Sequence, residues 1–461
     1  MTAWADPTGK LMSRRQMLAR ACKTALAFPL LNLSTGNLAA ASLATLDLAL
    51  ITSSCGGSSS GNTTQTPPLS DDQFLDQMEQ AAFLYFWEQA SATTGQVKDR
   101  AYATGVNDTG TLSSIAATGF GLTALCIAAQ RGYMPSSQIQ ARVLATLNFI
   151  WNELPQENGF FCHYVDMNTG LAEPGSEVSS IDTSILLCGV LTCRQYFQDS
   201  QIQSLATQIY QRVNWPWMLN GGTTFSQGWL PQSGFLTTRW DTYSELMMLY
   251  LLAIGSTTFP VPASSWNAFS RPLVTFQGYT YISGNAPLFI HQYSHAWFDF
   301  RNKQDAYADY FTNSIIATEA HKAFCLSLSL AGEFSDYQEN LWGITASDSQ
   351  NDGYVAWGGP PAMGPIDGSI VPSAAGGSVP LLSPDCIAAL RNIQSAYPGA
   401  WQRYSFVDAF NPLTGWYDTD ALGISLGITM LMAENYRSAF VWDTFMQNPE
   451  PQAAMTAVGF T

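Results

Sequence analysis

Asp241 and Glu245 stand four residues apart in TTRWDTYSELMMLYLLAIG, residues 237–255, at the entrance of a run otherwise suited to a protein interior. A charge inside an apolar helix is costly unless something compensates it. Asp241 can cap the helix start by accepting a backbone N–H, where a carboxylate also suits the positive end of the helix. The other reading turns both carboxyls toward a cavity, since four-residue spacing puts them on one helical face. Glu245, followed by Leu246, Met247, Met248 and Leu249, would there hold its proton above the usual carboxyl range, through apolar surroundings and a neighbouring carboxylate. A general acid working near neutral pH needs that setting.

Further acids are Glu177 and Asp182 in GSEVSSIDTS, and Asp418 with Asp420. Glu177 and Asp182 are five apart, so one helix does not give them a common face. Ser179 or Ser180 is expected to cap a helix, with Glu177 in the preceding loop and Asp182 in the first turn. A dipole partner is the plainer role for Asp182, but both can reach one cavity. In HQYSHAWFDFRNKQD, His291, His295 and Asp299 follow at four-residue steps. The motif HExxH is missing, and no metal is expected. Sugar hydroxyl binding by His295 and Asp299 is the expectation, with Trp297 as a stacking platform and Arg301 pairing with an acid; structural hydrogen bonding is the alternative.

Asp348, Asp352 and Gly353 resemble the start of a calcium loop, but Gly359 stands where the bidentate Glu belongs. That segment reads instead as a Gly-rich loop over a polar cleft, presenting Trp342 and Trp357. Arg239, Asp241, Asp418 and Asp420 complete the expected substrate-binding set. The sequence has no phosphate loop and no dinucleotide fingerprint after a strand, and no cofactor is expected.

The elements that must position these groups read as helices in pairs. SSIAATGFGLTALCIAAQRG is apolar nearly all round, whereas SSQIQARVLATLNFIWNEL has two faces. The contrast recurs in SSIDTSILLCGVLTCRQYF followed by DSQIQSLATQIYQRVNW, and later in the chain. A helix apolar on every side is buried on every side, and an amphipathic one lies outside it. Repeated inner-then-outer helices predict an all-α fold, the (α/α)6 barrel or double-layered helical toroid. GFFCHYVD and GYTYISG predict β-hairpin decorations. Loops entering the inner helices gather at one end, where the acids concentrate.

The 461 residues carry a formal net charge of −16, 46% hydrophobic and 12% charged residues. This favours a large core and argues against nucleic acid, which needs clustered Lys and Arg. Arg14 and Arg15 before a weakly apolar run resemble a twin-arginine export signal over residues 1–55. Cys55 resembles a lipoprotein cleavage site, giving a lipidation candidate and a means of membrane attachment. Residues 56–70 read as a Gly/Ser/Thr/Pro linker, 71–448 as one catalytic domain and 449–461 as a tail. Met12 is an alternative start. The remaining cysteines, Cys126, Cys162, Cys188, Cys193, Cys325 and Cys386, read as buried thiols, with one disulfide open in an exported protein. A monomer in the periplasm or cell envelope is the expectation.

SSIAATGFGLTAL, SEVSSIDTSILL, TTRWDTYSELMML, LFIHQYSHAWFDFRNKQDAYADYFTNSIIAT, LWGITASDSQNDGYVAWGGPP and VPSAAGGSVP together resemble the glycoamylase-like family, which includes bacterial endo-β-1,2-glucanases. The resemblance implies an (α/α)6 barrel and metal-free hydrolysis of glucan with inversion. It also implies catalytic roles for Glu245 and for Glu177 or Asp182, with Asp418 or Asp420 as substitutes for the base. A transglycosylase or phosphorylase on the same barrel and a non-catalytic glycan-binding lipoprotein are the alternatives.

Overall fold

The computed structural model describes residues 69–106 and 108–461; the export signal, Cys55 and nearly all of the expected linker lie outside the described residues. Helix α1 (Asp71–Glu88) opens the domain with a capping box between Ser70 and Gln73. Helices α2 (Ile115–Arg131), α4 (Ser180–Tyr196), α6 (Met247–Ile254) and α9 (Gly423–Ser438) are buried along almost their whole length. Amphipathic helices α3 (Ser136–Asn152) and α5 (Ser200–Gln211) bury one face only, and α7 (Tyr310–Leu330) and α8 (Ser383–Ala396) are likewise buried only in part. The all-round apolar runs are thus the inside elements and the two-faced runs their cover. Among the described residues no helix is long and apolar enough to cross a membrane.

Neighbouring inner helices α2 and α4 pack extensively because two glycines let their backbones meet. A Cβ on Gly189 would lie 2.1 Å from the Gly119 carbonyl oxygen, and one on Gly119 2.4 Å from that of Ile185. Gly189→Ala should therefore destabilise the fold by about 1–3 kcal/mol despite alanine's better helix propensity, measured by chemical denaturation. An unchanged midpoint would show that the two helices can part without loss.

Short strands lead into the inner helices from one end. They are β1 (Arg100–Tyr102), β2 (Leu112–Ser114), β3 (Tyr164–Asp166), β4 (Val178–Ser179), β5 (Phe225–Ser226), β6 (Gly228–Leu230), β7 (Arg239–Trp240), β8 (Ser347–Ser349), β9 (Gly353–Val355) and β10 (Asp420–Leu422). The antiparallel pairs β1–β10, β2–β3, β4–β6, β5–β7 and β8–β9 frame that end.

Two local expectations change. Asp241 does not cap a helix, and Asp241 and Glu245 do not share a helical face, because α6 begins only at Met247. Pairing of β7 with β5 and a Ser270 N–H donated to the Asp241 carbonyl hold this stretch extended. Ser294 closes the helix start from another segment: its Oγ donates to the Glu245 carbonyl at 2.9 Å and accepts from the Met248 N–H at 3.1 Å. Residues 449–457 are no tail but helix α10 (Pro449–Ala457). Arg194 of α4 donates to both Glu450 carboxylate oxygens, and Gly255 lies against the Glu450 backbone, so α10 covers inner-layer ends. All six described cysteines are unpaired thiols, buried except the half-buried Cys162.

Candidate active site

Ser179 caps α4 by accepting the Asp182 N–H at 3.3 Å, and its hydroxyl donates to Asp182 Oδ2 at 2.5 Å. This places Asp182 in the first turn and Glu177 just before β4. His163, beside β3, brings Nδ1 to 3.4 Å from Glu177 Oε1 and 3.7 Å from Asp182 Oδ2, its ring stacked on Tyr164. Burial works against a charged imidazole here, but the Asp182 and Glu177 carboxylates outweigh it and raise the His163 pKa. Asp99, Tyr164 and Tyr354 line a small cavity together with His163 and Asp182.

A second group forms around Arg100 on β1. Its Nη1 lies 2.6 Å from Asp348 Oδ2 and 3.4 Å from Asp420 Oδ2, with Asp99 Oδ2 3.6 Å from Nε. Asp408 accepts from the Asp348 N–H and from Ser425 Oγ. Burial and the Asp348 charge push the Asp408 carboxyl up to about 7, and burial with Asp348 and Asp408 pushes Asp418 up to about 9. Both folded-state values exceed the ordinary aspartate range near 4, so the folded protein keeps protons that the unfolded chain releases. Their contribution to stability is complete below about pH 4 and is lost as pH rises through about 7 and then about 9. Thermal midpoints should accordingly fall from pH 5 to pH 9. Asp418→Asn, which cannot ionise, should flatten the upper part of that slope, and a slope unchanged by the substitution would contradict the assignment.

Each group also gathers potential cation ligands: His163, Glu177 and Asp182 in one, Asp348, Asp418 and Asp420 in the other, ligand atoms within 4.8 Å. In the second, the Arg100 guanidinium already contacts Asp348 and Asp420, supplying positive charge where an ion would.

The third part is a cleft of about 200 Å³ lined by Gln227, Arg239, Trp240, Asp241, Glu245 and Asn285, among others. Glu245 is 6% exposed, whereas Asp241 is open to solvent. Arg239 is fixed by the Thr224 hydroxyl and by the Leu219 and Thr224 carbonyls. Ser180 joins this cleft to the first group: its Oγ accepts from Trp240 Nε1 at 2.9 Å and donates to the Ser226 and Gln227 carbonyls. Gly228 completes the wall, because a Cβ there would come within 2.8 Å of Glu177 Cγ. Glu177 thus packs against Gly228, the chain neighbour of Gln227, which lines the cleft of Glu245.

Most of the other expected binding residues lie elsewhere. Trp297 is fully buried, donates to Thr123 and packs on Phe120. His295 faces Ser314 in the core, with burial lowering its pKa to about 3, and His291 is similarly enclosed. Trp342 and Trp357 are buried too, the latter bonded to Ser347. These aromatic and histidine groups are packing elements, not a sugar platform. Asp299 pairs with Arg301, which sits over Trp442, beside a hollow that includes Asp443. Asp443 also borders Arg131 and Glu434, at the C-terminal ends of α2 and α9, so Asp299 and Arg301 belong to the opposite end. Asp418 and Asp420 do sit at the acidic end.

Asp99, Arg100, His163 and Asp408 were not among the expected site residues. Arg100 meets its partners across 248 and 320 residues of chain, and no local pattern announces such a contact. The strand beside His163 was legible, but the approach of the His163 imidazole to Glu177 was not.

Residues 237–449 match the family model described as "Glycoamylase: Putative glucoamylase". An exo β-1,2-glucooligosaccharide sophorohydrolase of Parabacteroides distasonis is 26% identical over 439 residues, covering 85% of this chain and 58% of its own length. The chain therefore spans little more than half of that relative. The solved endo-β-1,2-glucanase of Chitinophaga pinensis is 27% identical, with a TM-score of 0.78 over 86% of this chain and 99% of that one. The β-1,2-glucanase of Parabacteroides distasonis, at 24% identity, has a TM-score of 0.78 over 85% and 60% of the two chains, and shares the fold.

Proposed function

We propose that the protein is a glycoside hydrolase that cleaves β-1,2-linked glucan, on two helical layers read as an (α/α)6 barrel. The observation that carries the reading is the carboxyl-rich end of an otherwise apolar helical core, with the nearly buried Glu245 lining an open cleft beside it. Similarity to β-1,2-glucan hydrolases over most of the chain supports the substrate class.

In the proposed reaction Glu245 donates its proton to the glycosidic oxygen as the bond to the anomeric carbon breaks. A water oxygen bonds to that carbon from the opposite face, and its proton passes to a second carboxylate. Glu177 and Asp182 are the candidates for that carboxylate, flanking Ser180, whose hydroxyl accepts from Trp240 of the cleft lining. Inversion needs about 6.5–9.5 Å between the two carboxyls, or a relay through a substrate hydroxyl over a longer span. His163 shares the charge of the pair, and the Arg100–Asp348–Asp420 group offers donors and acceptors to sugar hydroxyls. Export by the N-terminal signal, lipid attachment at Cys55 and action as a monomer complete the proposal.

Incubation with β-1,2-, β-1,3-, β-1,4- and α-linked glucans, read by product chromatography, tests it. Oligosaccharides are expected from the β-1,2 polymer. Release from another linkage alone, or from none, would overturn the substrate assignment.

A further inference from the structure

We infer that Tyr102 is a sugar-stacking platform at the mouth of this site, outside the bond-breaking position, and that it governs affinity for longer chains. The inference rests on the glucan-hydrolase reading above. Three features of the structure lead to it.

Tyr102 pairs directly with Asp420 in the β1–β10 ladder, and Arg100 with Leu422. Directly opposed residues of an antiparallel pair share a face, as do residues two apart on one strand. Tyr102 therefore stands on the face that carries Arg100 and Asp420. The other face carries Ala101 and Ala421, both buried. The same face leads inward, since Leu422 lines the cavity that holds His163, Asp99 and Asp182. Tyr102 marks its outer edge.

Tyr102 is also 49% exposed. Many aromatic side chains of this domain pack ring on ring, as Tyr85 does on Tyr404 and Phe410 on Tyr417, whereas Tyr102 makes no ring contact among the described residues. A tyrosine left half in water forgoes the burial that usually stabilises it. A flat ring beside hydrogen-bonding carboxylates is what a pyranose recognises, its apolar face on the ring and its hydroxyls toward the acids.

The backbone beneath the ring is held on both sides. The Tyr102 N–H donates to Asp108 Oδ2 at 3.0 Å, and Asp108 is fixed by Lys98 at 3.1 Å. The Gly105 N–H donates to the Tyr102 carbonyl, and the Ala103 N–H to the Thr419 carbonyl. A platform fixed before the ligand arrives loses little freedom on binding. Asp348 and Asp420, which would meet the hydroxyls, are oriented by the same Arg100.

The test compares wild type with Tyr102→Ala, Tyr102→Phe and Tyr102→Trp on β-1,2-glucan polymer and on the shortest oligosaccharide cleaved. Tyr102→Ala is expected to raise KM for the polymer about tenfold, the size of one lost ring contact. The kcat at saturation should stay within about twofold, and KM for the shortest substrate should stay unchanged. Phe and Trp, which keep a flat ring, should restore polymer KM. A thermal midpoint equal to wild type would show that folding is intact. Equal polymer KM in Tyr102→Ala and wild type would overturn the inference while leaving the glucanase reading in place. A fall in kcat on every substrate would also overturn it, by making Tyr102 part of the reaction centre. Wild type without activity on β-1,2-glucan would remove the reading and the inference together.

Discussion

Glu245→Gln is expected to lower kcat on β-1,2-glucan by about a thousandfold, within the range that a positioned proton donor supplies. Glutamine keeps the volume and polarity of the side chain that lines the cleft, so the thermal midpoint should hardly move. The leaving sugar is a poor leaving group unless its oxygen is protonated as the bond breaks. An aryl glycoside whose leaving group needs no proton should therefore lose much less in the same variant. That contrast identifies the acid role, because a merely structural glutamate would slow both substrates alike.

Arg100→Met carries the second largest effect. The guanidinium is the cation nearest to Asp99, Asp348 and Asp420, and its side chain is largely buried. Burial already raises the pKa of Asp99 and Asp420, and Arg100 opposes this. Removing one partner of a buried charge cluster costs roughly 3–5 kcal/mol, because the remaining charges keep their desolvation cost without compensation. Protonation of the orphaned carboxyls relieves part of the cost at low pH. The destabilisation should therefore be larger at pH 8 than at pH 5, as measured by denaturant unfolding, with activity lost at both. A loss under about 1 kcal/mol at pH 8 would mean that the aspartates are solvated enough to do without the arginine.

The alternation of all-round apolar and two-faced segments was legible in the sequence because burial acts on every third or fourth residue, and period survives in a string. Ser179 as a cap and Asp182 in the first turn of α4 were legible for the same local reason. The start of α6 was not: strand pairing through Arg239 and Trp240, together with Ser294 from a distant segment, overrode the helix signal of DTYSE. The tryptophans misled because burial and sugar stacking draw on the same apolar ring, and Trp297 and Trp357 satisfy their indole N–H groups inside the protein. Asp299 with Arg301 misled through spacing, since a four-residue period says nothing about which end of the layers a residue occupies. Asp408 lies in the apolar stretch SFVDAF, and only its hydrogen bonds from Asp348 and Ser425 place it in the site.

In the proposed reaction the acid-rich end of the helical layers cleaves glucan with Glu245 as proton donor. The most direct measurement is a crystal structure of Glu245→Gln with a bound β-1,2-glucan oligosaccharide. A glycosidic oxygen is expected within hydrogen-bond distance of the residue-245 side chain, with a water on the far side of that sugar held by Glu177 or Asp182. Sugar bound at the opposite end near Arg301 and Trp442, or a glycosidic oxygen out of reach of residue 245, would contradict it.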